Sequence, residues 1–522
     1  MSDLVSRRRL LSGAAGLAAL ALAPRAEARR GRPGSPAGVE PFTLGVAAGD
    51  PTADGFVIWT RLAPDPLEDG GGLPPEPVPV TWEVAADEGF ARLVQRGTVT
   101  ARPEWAHSVH VELRGLAPDH GYWYRFRTRR AVSRVGRART LARPGSPMGR
   151  LRLGVASCQH YEQGYFAAYR HMLADDLDLV LHLGDYIYEV STWADEVRRH
   201  EGPEAVTLDQ YRARHALYKL DPDLQSAHAA YPFLVTWDDH DVDNDYANDQ
   251  SQDRDDPAAF LRRRAAAYQA YYEHMPLRRL ARPVGPALAL YQRVTIGDLL
   301  QIHVLDGRQY RDDQPCGETG TGGGQVIEAC PTRLDPTRTM LGPAQEAWLF
   351  QGLQRATARW TAIAQAQLMA QLIQEGRSGR PGHWSDGWDG YPAARTRLLE
   401  RLSRAPNPVV LGGDIHSFWV TDLKLNFDDP ATPTVATEFV GTSITSAGVP
   451  HAVFERYAKA NPHVRFFDSR LRGYLRCEVT PTRWQTDLRV VEDVRDPGTE
   501  ARTLAAFVVE AGRRGAQPAG GP

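Results

Sequence analysis

Little in this 522-residue chain is extreme: it holds only 4 Cys and 6 Met, carries a formal net charge of −3, and has no long uninterrupted apolar run. Each shortage removes an option. A nearly balanced charge argues against nucleic acid as a partner other than as a substrate, because that role leans on a basic surface that meets phosphates. The apolar run from Leu10 to Ala23 falls short of the roughly 20 residues that cross a bilayer, so no permanent membrane span is expected. The absence of an internal repeat excludes a solenoid, and low complexity is confined to the Gly-rich loop "CGETGTGGGQVIEAC". Cys316 and Cys330 flank that loop and are expected to pair in an exported protein, which leaves Cys158 and Cys477 over.

What is present is the composition of a globular protein, 42% hydrophobic and 24% charged. The length suits two or more domains of about 100 to 200 residues each. Residues 1–28 join Arg7, Arg8 and Arg9 to the short apolar run and to Ala26-Glu27-Ala28, a small-x-small cleavage site; they read as a removable export signal. "SRRRLL" further resembles a twin-arginine signal, which implies the twin-arginine export machinery as a partner and a periplasmic or extracellular destination. Residues 29–40 are an Arg/Pro/Gly-rich flexible lead. From 41 to 142, short alternating runs such as "GFVIWTRL", "VPVTWEVA" and "GYWYRFRT" indicate a β-sandwich, with a boundary at 143–150.

After residue 150 the pattern changes to near-continuous apolar strands separated by amphipathic segments, "GYFAAYRHMLADD", "LRRRAAAYQAYYEHM" and "GPAQEAWLFQGLQRAT" among them. Strands apolar on both faces require cover on both, from helices on each side of a sheet or from a two-sheet sandwich inside helices. This α/β region is expected to run to residue 505, with a C-terminal tail at 506–522.

Four of the apolar runs end on residues that carry chemistry. "LGVAS" leads to Cys158, "LVLHLG" to Asp185 and Tyr188, "FLVTW" to Asp238, Asp239 and His240, and "VVLGG" to Asp414 and His416. Ligands of α/β sheets collect at the carboxyl ends of strands, so these residues are expected to converge. Thiolate and phenolate donors suit trivalent iron, whereas the oxygen donors Asp239, Asn244 and Asp414, with Asp185 bridging, suit Ca2+, Mg2+ or Mn2+. Two such ions would serve phosphate-ester hydrolysis. An EF-hand reading of Asp241, Asp243 and Asp245 fails, because Tyr246 stands where the turn needs Gly and Gln252 where a bidentate Glu belongs.

"GDYIY" at 184–188, "DDHD" at 238–241 and "GDIH" at 413–416 resemble the metallophosphoesterase signature, and more specifically the alkaline phosphatase D (PhoD-like) family, relatives of purple acid phosphatases. "FTLGVAAGDPTADGFVIWTRL", "SCQHYEQGYF", "WDGYP" and "EFVGTSITS" extend the resemblance over most of the chain. It implies a layered α/β/β/α catalytic domain after a small fibronectin/Ig-like sandwich. It also implies Fe3+ on Cys158, Asp185, Tyr188 and His416, one or two Ca2+ on Asp185, Asp239, Asn244 and Asp414, and His240 as proton donor. Gly413-Asp414 and Gln367 stand where the wider superfamily places histidines, which replaces nitrogen by oxygen and favours Ca2+ over zinc. Asp241, where relatives carry Glu, is expected to have no direct role. With Asp238, Asp243 and Asp245 it is assigned to an outer or solvated position, where one of the four could hold an additional Ca2+. Arg308 and Arg311 read as structural ion-pair partners rather than phosphate ligands. Trp384, Trp388 and Tyr391 form an aromatic segment that could cover the site.

The activity expected is hydrolysis of small-molecule phosphomonoesters, and of phosphodiesters, by in-line attack of a metal-bound hydroxide. A phospholipase-D-type diesterase and a cell-surface binding protein with a structural metal are the alternatives.

Overall fold

Apolar strands ending on short polar loops build two facing sheets. A computed structural model describes residues 40–191, 196–317 and 322–520; the export segment and all but the last residue of the flexible lead fall outside them. The N-terminal strands are β1 (Val46–Thr52), β2 (Gly55–Arg61), β3 (Val78–Ala85), β4 (Leu93–Ala101), β5 (Ser108–Glu112), β6 (Gly121–Arg127) and β7 (Gly136–Arg139). Next come β8 (Leu151–Ala156), β9 (Leu179–Leu183) and β10 (Pro232–Thr236), interleaved with helices α1 (Ala167–Met172), α2 (Leu208–Lys219) and α3 (Pro222–Ala230) and followed by α4 (Pro257–His274). The second sheet begins with β11 (Gln292–Ile296) and β12 (Leu300–Val304). A small hairpin strand β13 (Val326–Ile327), helix α5 (Gly342–Gln354), β14 (Trp360–Ala364), and the short β15 (Gln374–Glu375) and β16 (Pro381–Trp384) come next. Helix α6 (Pro392–Leu402), β17 (Pro408–Gly412), β18 (Phe418–Lys424), β19 (Thr434–Val440), helix α7 (His451–Ala460) and β20 (Val464–Asp468) complete that part. Strands β21 (Arg472–Val479), β22 (Arg483–Val491), β23 (Ala501–Glu510) and β24 (Gln517–Pro518) return to the first sheet.

The larger sheet has ten strands in the order β24-β23-β22-β21-β8-β9-β10-β1-β2-β5, and the smaller has seven in the order β11-β12-β14-β17-β19-β18-β20. Strands β8, β9 and β10 run parallel, as do β12, β14, β17 and β19, so their carboxyl ends share one edge in each sheet. Leu153, Val155, Leu181 and Leu234 of the first sheet pack against Ile302, Ala362, Val409 and Leu411 of the second, forming one dry core between them. Cys477 lies in that core as a packing thiol. Helices α1 to α4 cover the outer face of the larger sheet, and α5 and α6 that of the smaller, which completes the α/β/β/α order.

The helix starts follow local chemistry. Thr207 and Gln210 form a capping box at α2, Asp221 caps α3 ahead of Pro222, and Asp256 caps α4 ahead of Pro257. Cys316 and Cys330 are joined, as their spacing around the Gly-rich loop suggested.

Two expected divisions of the chain take a different form. Strands β3, β4, β6 and β7 make a four-stranded sheet that packs on β1, β2 and β5, a sandwich through Val46, Ile58, Val80 and Tyr124. Yet β1 also pairs with β10, so one leaf of the sandwich is the end of the large sheet, and the described residues from 40 onward form a single unit. The tail expected from 506 begins inside β23, whose Phe507 and Val509 are buried against the core, and β24 adds another strand; backbone pairing continues as far as apolar side chains reach the sheet.

Candidate metal centre

Each candidate residue sits on a loop that leaves the carboxyl end of a parallel strand. Cys158 follows β8, Asp185 and Tyr188 follow β9, Asp239, His240 and Asn244 follow β10, and Asp414 and His416 follow β17. Four of them, Cys158, Asp185, Asp414 and His416, hold positive φ angles of 57°, 52°, 64° and 51°. Non-glycine residues avoid that region at a cost of order 1–3 kcal/mol each, so the surrounding sheets impose it. Gly184 has φ 108°, and a Cβ there would meet Asp238 Cβ at 2.6 Å; only glycine lets the β9 and β10 loops lie so close.

One atom each of Cys158, Asp185 and His416 lies within 4.8 Å of the others, and Asp185, Asp238 and Asp239 make a second such group. Tyr188 completes the first: its Oη donates to Asp185 Oδ2 at 3.0 Å and lies 3.1 Å from His416 Nε2. His416 Nδ1 is 2.9 Å from the carbonyl oxygen of Ala447, which can only accept, so Nδ1 carries the proton and Nε2 keeps its lone pair. Burial and Arg472 hold the His416 imidazole down at about 4, the neutral form that a ligand needs. Ser446 Oγ reaches Tyr188 Oη at 2.7 Å and the Cys158 carbonyl at 2.8 Å. Asn244 stands apart from these contacts: its backbone N–H donates to Glu189 Oε1, and its side-chain Nδ2 donates to Gln252 Oε1 at 2.8 Å, while its Oδ1 accepts no hydrogen bond among the described residues.

The donor set fits cations. Burial first, and then neighbouring carboxylates, push the Cys158 thiol, the Asp185 and Asp414 carboxyls and the Tyr188 phenol well above their ordinary ranges. Asp185 Oδ1 and Asp238 Oδ2 are buried without a hydrogen-bond partner. Buried acids in this number are stable as anions only beside positive charge, and Arg308 is the guanidinium placed among them.

Arg308 is 1% exposed and touches three acids. Its Nε donates to Asp238, its Nη1 lies 2.9 Å from Asp386 Oδ2, and its Nη2 lies 3.2 Å from Asp239 Oδ1 as an ion pair. Arg311 reaches the same Asp386 at 2.9 Å. Arg308 and Arg311 hold Asp386 down to about 2 against the effect of burial.

His240 lies at the mouth of the centre, with 17% of its side chain exposed. Its ring packs 4.2 Å from that of Tyr188, centroid to centroid. Its Nδ1 donates to Glu189 Oε2 at 2.8 Å, so Nε2 is the ring nitrogen that Glu189 does not hold. Burial works against the charged ring, but Glu189, Asp239 and Asp185 together raise His240 well above its usual value.

Several assignments from sequence need correction. Of the acids given outer or solvated positions, Asp238 and Asp241 are 1% exposed and Asp243 6%, so these three take the outer, buried alternative. Asp243 pairs with Arg263 at 3.0 Å, and Asp245 Oδ2 accepts from the Gly324 N–H at 2.8 Å. Asp241, given no direct role, is the clamp of the Asp185 loop: its Oδ2 accepts from the backbone of Asp185 and Asp238 at 2.9 and 3.0 Å, and its Oδ1 from Tyr186 and Ile187. A shorter acid suffices because its targets are backbone N–H groups close at hand. Asp241→Ala is expected to cost about 2–4 kcal/mol in denaturant unfolding and to weaken metal binding about 10- to 100-fold in equilibrium dialysis; unchanged affinity would show that the loop holds itself. Of the aromatic segment, Trp388 and Tyr391 are core residues, and only Trp384 stays half-buried, against Gly324.

Glu189, Ser446 and Asp386 were missed. Glu189 ends the string "GDYIYE" and could have been noticed as the neighbour of Tyr188, but its partner His240 lies on the loop after another strand, β10.

Comparison with known proteins agrees with this geometry. The family model of "PhoD-like phosphatase" matches residues 153–488, and that of its N-terminal domain matches residues 26–142. Alkaline phosphatase D of Bacillus subtilis (strain 168) is 47% identical over 485 residues, which is 91% of this chain and 82% of that protein. The solved structure of PhoD superposes with a TM-score of 0.88 at 46% identity, covering 93% of each chain. A purple acid phosphatase from yellow lupin seeds shares the fold at 10% identity, with a TM-score of 0.56 over 90% of this chain and 74% of that one.

Proposed function

The chain belongs to the PhoD-like phosphatase family and is a phosphoric ester hydrolase; from that premise we propose that it cleaves phosphomonoesters and phosphodiesters outside the cytoplasm, releasing phosphate from organic esters. The observation that carries this reading is the meeting of Cys158, Tyr188 and His416 with a run of buried carboxylates, with one oriented histidine at the mouth. Cys158, Asp185, Tyr188 and His416 would hold Fe3+, and Asp185, Asp239, Asn244 and Asp414 would hold one or two Ca2+ or another hard divalent ion. Bound there, the ions would neutralise phosphate oxygens and lower the pKa of a water placed for in-line attack.

The chain's own residues do the rest. Glu189 fixes the His240 ring through Nδ1 and so aims Nε2 at the leaving oxygen, where a proton is needed as the ester bond breaks. Asp241 holds the Asp185 loop, and Arg308 holds Asp239 while contributing a buried positive charge. Glu189→Gln is expected to lower kcat about 10- to 100-fold with little change in KM, because it loosens the proton donor and leaves the carboxylate cluster intact. A raised KM with unchanged kcat would assign Glu189 to substrate binding instead.

Export is supported by the Arg7-Arg8-Arg9 cluster and the apolar run behind it; no helix among the described residues is long and apolar enough to cross a membrane. The substrate reading is tested by metal-loaded protein with p-nitrophenyl phosphate, bis-p-nitrophenyl phosphate and phosphatidylcholine across alkaline pH. Turnover of the first two, abolished by chelation, is expected. Turnover of phosphatidylcholine alone would move the assignment to a phospholipase-D-type diesterase, and no turnover of any of the three would overturn it.

A further inference from the structure

Directly behind the Asp185 loop, on the helix-covered face of the ten-stranded sheet, lies a chamber rich in basic groups, whose nearest acid, Asp241, is engaged by the backbone N–H groups of Tyr186 and Ile187. Tyr186, the residue after Asp185, is fully buried and forms its centre. Around its ring stand His182 from β9 at 5.0 Å, His228 from α3 at 5.9 Å and His215 from α2 at 6.2 Å, centroid to centroid. The Lys219 ammonium at the end of α2 lies 5.3 Å from the Tyr186 ring and 4.6 Å from that of Trp59. Lys219 is 2% exposed, and all three histidines are 2% or less.

The hydrogen-bond accounting in this chamber does not close. His228 Nε2 meets Tyr186 Oη at 2.7 Å, but His228 Nδ1 and both ring nitrogens of His182 and of His215 are buried with no partner. Lys219 Nζ lies over the ring faces of Trp59 and Tyr186 and forms no ion pair among the described residues. The nearest elements add more positive character: Arg61 on β2 contacts His274 of α4 at 2.8 Å, and His274 stacks on His215 at 5.0 Å. The neighbouring acid, Glu273, is taken by Arg212 through two contacts of 2.7 Å. Buried polar groups are as a rule hydrogen-bonded, and a buried charge is paired. Burial pushes Lys219 down to about 7, and burial first, with Lys219 second, depresses the imidazoles of His182, His215 and His228.

A metal ion does not fit, because the ammonium would repel it and the chamber offers neither carboxylate nor thiolate. We propose that the chamber is a binding site for one small monovalent anion, chloride being the simplest, held by the Lys219 ammonium and by N–H groups of His182, His215 and His228 beneath the metal loop. When protonated, Lys219 carries a charge met only by the ring faces of Trp59 and Tyr186, which calls for one negative charge. The site is separate from the ester-cleaving centre, although Tyr186 joins the two through one peptide bond.

The direct test is a crystal of the wild-type holoenzyme, grown at mildly acidic pH and soaked in bromide. An anomalous peak within about 3.5 Å of Lys219 Nζ is expected; ordered water alone at that position overturns the proposal. In solution, chloride in place of gluconate at equal ionic strength is expected to raise the unfolding midpoint by about 1–2 °C, in metal-loaded and in chelated protein alike. That dependence should vanish in Lys219→Met, and an equal chloride effect in wild type and variant also overturns it. Because chelated protein is included, failure here leaves the phosphoesterase reading untouched.

Discussion

Asp185→Asn is expected to stop turnover, lowering kcat/KM by at least about a thousandfold, since loss of the ions removes several kcal/mol of transition-state charge stabilisation. Asp185 is shared by both groups of ligand atoms, the one with Cys158 and His416 and the one with Asp238 and Asp239. Its Oδ2 already serves Tyr188, while its Oδ1 is buried with no partner, so a neutral amide would offer a cation one weak oxygen in place of a charged bridge. The same change relieves repulsion in the protein without ions, because burial and Asp239 make the Asp185 anion costly there. Unfolding in chelator should therefore show Asp185→Asn at least as stable as wild type, while metal analysis shows a reduced metal content. A variant that keeps its metal content and most of its activity would remove Asp185 from the centre; a variant that is unstable in chelator would point to a structural role.

The second large effect is on stability. Arg308→Met is expected to cost about 3–5 kcal/mol, because breaking a buried ion pair strands its partners. Here the stranded partners are Asp238, Asp239 and Asp386, all buried, and Arg311 can compensate Asp386 alone. The loss should be larger in chelator than with metals bound, since cations at the centre also offset Asp239. Arg308→Lys should recover only part of it, because a point charge cannot meet three carboxylates in the directions that a planar guanidinium does. Adding Asp386→Asn to Arg308→Met should restore some stability by deleting one stranded charge. Equal unfolding midpoints for wild type and Arg308→Met would show that the three acids are solvated and not paired.

These two residues also mark where sequence reading succeeds and stops. Asp185 was legible because it follows a run of buried apolar residues, "LVLHLG", and because three other runs end the same way. Strand ends carry their ligands within a few residues, so the convergence of Cys158, Tyr188 and His416 could be read from local text. Arg308 was legible only as an arginine near acids, since its partners come from the loop after β10 and from the loop beyond β16, far away in sequence. Glu189 has the same character, with His240 as its distant partner. The Lys219 chamber has no sequence signature at all: His182, His215 and His228 lie on three elements at no fixed spacing. The alternating N-terminal strands announced a sandwich, but nothing in β1 announces that it will also pair with β10, because edge pairing depends on which neighbour is left open.

That pairing bears on how the molecule can be made. Ala48 sits beside Pro232, and Leu475 beside Val155, so the sheet carrying the metal loops is closed by its earliest and some of its latest strands. Such long-range contacts carry a high loop-closure cost and fold slowly, and no early segment can finish its part of the sheet on the ribosome. The centre is therefore assembled only after almost the whole chain has been synthesised, and any ion it takes up must be acquired at the end of folding, wherever in the cell that end is reached.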